Sequence, residues 1–185
     1  PHINVNNIDL AVVENASFRG VTGENIDEPG IYTIAINSKI FEENQYEVDK
    51  VIVEELLHYV TKTSFDKYIT INDIDFKTGK ISWTPKEDTK TPAELITLLS
   101  VYANAIKHMA QKYGSEKMQE KYNEHKKSKD SKAPNNIKNQ ELDIYRTTDF
   151  HEFLAGIFMK DEEFAKEMAN TEYKGSKKTI LEKFS

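Results

Sequence analysis

The chain opens on period-two alternation. "INVNNIDLAVVE" (3–14) and "GIYTIAIN" (30–37) are rich in β-branched residues, and "GENIDEPG" between them is turn-forming, so two strands and a connection are predicted. Residues 46–63 change to helical spacing. Alternation returns in "YITINDIDFKTGKISW" (68–83), where Thr78-Gly79 reads as a hairpin turn joining Ile74 and Phe76 to Ile81 and Trp83, within an inserted segment over 64–90. "TPAE" (91–94) signals a helix start, with Thr91 as N-cap, Pro92 at the first position and Glu94 closing a capping box. The long helix that follows carries Leu95, Leu98, Leu99, Tyr102, Ile106, Met109 and Tyr113 on one stripe, with His108 pointing away from it. "KSKDSKAPNNIKNQ" (127–140) reads as a polar loop. A last helix is predicted over 148–169, and 171–185 as a tail or the start of a further segment. No internal repeat is visible, and the pattern as a whole is that of an α+β protein.

The helix over 46–63 carries the candidate chemistry. At about 100° per residue, Val51, Glu54, Glu55 and His58 fall on one narrow arc. Ile52, Val53, Leu56, Leu57, Tyr59 and Val60 occupy nearly all the rest, which predicts a helix buried on almost every side. Its carboxylates and imidazole must then be buried with it or face a cleft, and there they need an ion pair, a hydrogen bond or a metal. The plain reading is that Glu54 or Glu55 pairs with His58 or with a lysine from a neighbouring loop. The apolar surroundings shift the balance toward a ligand site.

Composition narrows the options. With 185 residues the chain fits one domain, drawn over 1–170. A net charge of −6 speaks against a general nucleic-acid binder, and the basic cluster "HKKSKDSK" (125–132) reads as a solvated loop ahead of a small anion-binding patch. There is no cysteine, so a transition metal would have to be held by carboxylates and some of the five histidines. No apolar run is long enough to span a membrane and no signal peptide is visible, which predicts a soluble chain. The start at Pro1 without Met, and the end on "KKTILEKFS", an amphipathic segment cut short, suggest a piece of something longer.

"VIVEELLHYVTK" (51–62) is one residue away from H-E-x-x-H, in which two histidines a turn apart hold zinc and the glutamate between them is the general base. The longer run "INSKIFEENQYEVDKVIVEELLHYVTK" resembles the strand, loop and active-site helix of zincin metallopeptidases. In particular it is similar to zincin-like domains of large phage and mobile-element proteins. Those carry a later helix of the form His-Glu-Phe-x-Ala-small-x-aromatic, followed by an Asp/Glu-Phe pair. Here "HEFLAGIFMKDEEF" stands at 151–164, and "GVTGENIDEPGIYTIAIN" resembles the upper strand of the same domains. The resemblance covers 20–62 and 148–164.

The resemblance implies a zincin-like fold, a small twisted sheet over the active-site helix with the long helix and a C-terminal helix beside it. It implies Glu54, His58 and Glu152 as metal ligands of the Glu-zincin type and Glu55 as general base. His151 would at most support a ligand from the side. Asp149 to Glu152 is also an acceptable capping box, which would account for Glu152 without a metal. Glutamate in the first ligand position adds a negative charge, lowers the Lewis acidity of a bound ion and weakens discrimination against Mn²⁺, Ca²⁺ or Mg²⁺. The expectation is therefore zinc bound weakly or not at all, in a degenerate metallopeptidase domain. Such a domain would act as a structural or interaction module of a larger protein, in a virion or inside a cell. Its partners would be proteins or peptides, including other parts of its parent protein, and neither nucleic acid nor membrane. An active peptidase with a Glu/His/Glu site is the alternative, and an unrelated α+β binding protein the third reading. In zincins the strand above the helix is an exposed edge, so "GIYTIAIN" is the expected peptide-binding strand.

Overall fold

The computed structural model describes residues 5–87, 89–131, 142–159 and 162–171. The chain is α+β, with small sheets and, among the described residues, six α-helices. It divides into two compact units, the first running to Ser64 and the second starting at Phe65.

In the first unit β1 (Ile8–Val13), β2 (Gly20–Glu24) and β3 (Tyr32–Asn37) form a three-stranded sheet in the order β1-β3-β2, β1 parallel and β2 antiparallel to β3. The chain turns after β1 through Asn15 at φ 52°, a left-handed conformation that asparagine tolerates better than most residues. Asn37 then closes the loop from inside. Its side-chain amide donates to the carbonyls of Ala16 (2.6 Å) and Phe18 (2.9 Å), while its oxygen accepts from the Lys39 amide at the start of a short 3-10 turn. α1 (Gln45–Phe65) follows, with the Asn44 side chain accepting from the Glu47 amide at its start. Ile34, Ile36 and Ile40 pack against Val48 and Val51, so one sheet face lies on the helix.

Three expectations for this unit are corrected. The segment read as a connection contains a strand, β2, that short alternation over five residues did not announce. β3 is the central strand, with a partner on both sides, so its backbone ladder has no room for an added peptide and the peptide-binding edge assigned to it falls away. α1 is buried along one face, through Val48, Val51, Glu55, His58, Tyr59 and Thr61, and not all round: Ile52, Leu56, Leu57 and Val60 are half-buried and Val53 is 46% exposed.

The second unit begins with the predicted hairpin, β4 (Ile69–Asp75) and β5 (Lys80–Pro85), but its connection takes in Phe76 to Gly79 and not Thr78-Gly79 alone, so that Ile74 pairs with Ile81 and Ile71 with Trp83. α2 (Ala93–Tyr113) starts where expected. Pro92 rather than Thr91 is its N-cap, and no side chain caps it. Its stripe is the centre of the core, where Leu95, Leu99, Tyr102, Ile106 and Met109 meet Ile69, Ile74 and Phe76 of the hairpin. Gly114, at φ 91°, ends α2 in a conformation that costs glycine little and allows an immediate second helix, α3 (Ser115–Ser131). α3 is mostly polar and puts a narrow stripe of Met118, Tyr122 and His125 inward. It extends into the predicted loop as far as Ser131, while 132–140 lie outside the described residues, as do 172–185 of the predicted tail.

The predicted last helix is two helices, α5 (Phe150–Phe158) and α6 (Glu162–Asn170), preceded by α4 (Leu142–Thr148). His108 does leave the α2 stripe. It meets the Glu167 carboxylate of α6, which Lys112 also binds. Burial works against the Lys112 ammonium, but the bond to Glu167 outweighs it and pushes its pKa up to about 12. Among the described residues no helix is long and apolar enough to cross a membrane.

Tyr102 is fully buried between Phe150 and Phe153, and its hydroxyl donates to the Thr147 carbonyl at 2.8 Å. Burial raises its pKa well above the usual tyrosine value, so it remains a donor. Tyr102→Phe leaves that carbonyl short of a partner and is expected to lower stability by about 1–2 kcal/mol, read as a shift of the urea midpoint at unchanged slope.

Candidate metal centre

Glu54 and His58 lie one turn apart on α1, a spacing that places side chains on neighbouring positions of one face. His58 is buried and Glu54 half-buried. Glu55 turns toward β2 and is buried there. The Thr22 hydroxyl lies 2.7 Å from the Glu55 carboxylate Oε2 and 2.9 Å from the Glu55 carbonyl. Lys62, about two turns further along α1, donates to the Thr22 carbonyl at 2.7 Å, so Thr22 is joined to the helix through both its side chain and its backbone. At Gly20 the strand comes so close that an added Cβ would lie 2.8 Å from Glu55 Cγ and Oε1 and 2.9 Å from Val51 Cγ1. Glycine is needed there because the Glu55 carboxylate fills the space. Tyr32 meets Tyr59 edge-on at 5.1 Å on the same helix.

Glu152 belongs to the second unit, in the first turn of α5. Asp149 is the N-cap of that helix, accepting from the amides of His151 (2.8 Å) and Glu152 (3.2 Å). The capping expected from Asp149 is thus present. The Glu152 carboxylate has donors of its own: Tyr145 gives its hydroxyl to Oε1 at 2.6 Å and Arg146 gives Nη1 to Oε2 at 2.9 Å. Arg146 and Glu152 are both buried, at 3% and 8% exposure. Burial first, and the adjacent Glu152 charge next, raise the Tyr145 pKa well above its usual value, which keeps the phenol protonated and donating. His151 Nε2 lies 3.0 Å from Asp66 Oδ1.

Thr22, Gly20, Tyr145 and Arg146 did not emerge from the sequence. "GVTGE" was masked by its shortness, and Tyr145-Arg146 precedes the recognised "HEF" motif by a helix that the pattern did not separate. The useful signal would have been the tyrosine and glutamate seven residues apart across a cap, a distance that lets one helix hand a hydroxyl to the next.

Glu54 and His58 of the first unit offer a carboxylate and an imidazole on one face of α1, and Glu152 of the second unit offers a further carboxylate. The Glu152 carboxylate shares its negative charge with the buried Arg146 guanidinium. Compared with protein-family models, with curated proteins and with solved structures, the chain matches none.

Thr22→Val keeps the shape of the β2 residue and removes its hydroxyl. The Glu55 carboxylate then loses a buried donor, and a loss of about 1–3 kcal/mol in unfolding free energy is expected. Equal stability of Thr22→Val and wild type in urea titrations would show that this bond does not anchor Glu55.

Proposed function

We propose that the chain is a degenerate metallopeptidase-like domain that takes up divalent cations weakly, has impaired hydrolysis and serves as an interaction module of a larger protein. The observation that carries this reading is the pairing of an altered ligand with a kept base. Glu54 stands in the first ligand position, whereas Glu55 is buried and held by Thr22 in the position where a base belongs. Glu54, His58 and Glu152 would hold the ion, and a bound ion would supply a Lewis acid that lowers the pKa of its water. Tyr145 and Arg146 orient the Glu152 carboxylate. Two carboxylate ligands reduce that Lewis acidity and admit Mn²⁺, Ca²⁺ or Mg²⁺ alongside zinc, which is why hydrolysis should be poor.

The active-peptidase reading is favoured by one specific feature, Arg146. Its charge beside Glu152 offsets one of the two ligand carboxylates and returns the site toward the charge of a two-histidine, one-glutamate set.

Metal content and proteolysis separate the two. Wild type purified with zinc and dialysed is expected to retain substoichiometric metal and to leave unfolded casein uncut. Glu54→His is expected to hold one zinc per chain and to cut detectably, and Glu55→Gln added to it should abolish the cutting while keeping the metal. Glu54→Gln controls for charge alone. Stoichiometric zinc and proteolysis in wild type would replace the first reading by the second. Zinc absent from both wild type and Glu54→His would end both.

A further inference from the structure

A cavity of about 400 Å³ opens within the second unit, between β4, α3 and the first turn of α5. Its floor is apolar and rigid, made by Ile69, Ile74 and Phe150, each at most 3% exposed, with Tyr122 at the side. Of the charged groups around it, Asp66 and His151 face each other at 3.0 Å. Asp149 is occupied with the amides of α5. His125 is buried and meets the Tyr145 ring edge-on, and the remaining two are the ammonium groups of Lys86 and Lys126, both exposed and without a carboxylate partner among the described residues. The volume lies within the range of small-molecule sites, which join apolar walls to a few polar groups that set orientation. An apolar floor beneath a cationic rim selects a ligand with a flat apolar body at one end and a negative charge at the other.

We propose that this cavity binds a small organic anion made of an aromatic ring and a single carboxylate, with the ring on Ile69, Ile74 and Phe150 and the carboxylate between Lys86 and Lys126. The same chemistry occurs in a free aromatic acid and in the C-terminal phenylalanine of a peptide. Because the lining includes none of Glu54, His58 or Glu152, the inference stands or falls separately from the metal site.

The test is titration of the ¹⁵N-labelled protein with 3-phenylpropionate, followed by amide shifts. Saturable binding on the order of 1 mM is expected for a ligand of this size, with shifts confined to residues 69–74, 122–126 and 148–151. Propionate, which lacks the ring, and 3-phenylpropylamine, which reverses the charge, should not saturate. Lys86→Glu combined with Lys126→Glu should weaken the acid by about tenfold or more while the far-ultraviolet spectrum stays that of wild type. Binding of Ala-Ala-Phe with a free but not an amidated terminus would assign the site to a chain end, and binding of the free acid alone would assign it to a small molecule. Failure of both acids to saturate, equal binding of the amine, or shifts centred elsewhere would overturn the proposal, and these readings on wild type decide it even if the double variant misfolds.

Discussion

A carboxylate removed from water has to be met by donors or by an opposite charge, because its desolvation still costs several kcal/mol after the protein has relaxed around it. That constraint shapes both units. In the first, Glu55 lies under β2, and the strand accommodates it twice: Gly20 leaves room for the carboxylate and Thr22 supplies a hydroxyl. In the second, Glu152 lies beneath α4, which contributes Tyr145 and Arg146 from successive positions. Without those partners neither acid would be tolerated where it is.

The two solutions differ in kind, and the difference has chemical consequences. Thr22 is neutral, so its hydroxyl orients the Glu55 carboxylate by a hydrogen bond without adding a charge of its own. Arg146 is a buried cation, so Glu152 is oriented and partly neutralised.

The rest of the architecture serves to hold these acids still. Asn37 ties the end of β3 to the loop that leads into β2, which sets where Gly20 and Thr22 come to lie along α1. Tyr102 joins α2 to the end of α4 through the Thr147 carbonyl, next to the residues that bind Glu152. The cationic rim of Lys86 and Lys126 is a separate feature, formed by the hairpin and α3 over a floor of buried isoleucines.

The one-dimensional pattern by itself determined the long elements. α1, α2 and the β4–β5 hairpin were legible because each repeats its apolar period over enough residues, whereas the register of the hairpin, Ile74 opposite Ile81, depends on a longer connection than the Thr78-Gly79 turn read from the sequence. It also singled out Glu54, Glu55 and His58, since charged groups on an otherwise apolar helix stand out locally. Only the tertiary structure decided the remainder. Five residues of β2 carry too few repeats to be recognised, and the central place of β3 depends on pairing with strands from both sides, which no local period encodes. The break between α5 and α6 was not read from the sequence, and the seven residues of α4, between the predicted loop and the predicted last helix, are too few to show a helical period. The partners of the buried acids lie 33 residues from Glu55 and six and seven from Glu152. A hydrogen bond depends on distance in space, and sequence spacing predicts that distance only within a single regular element.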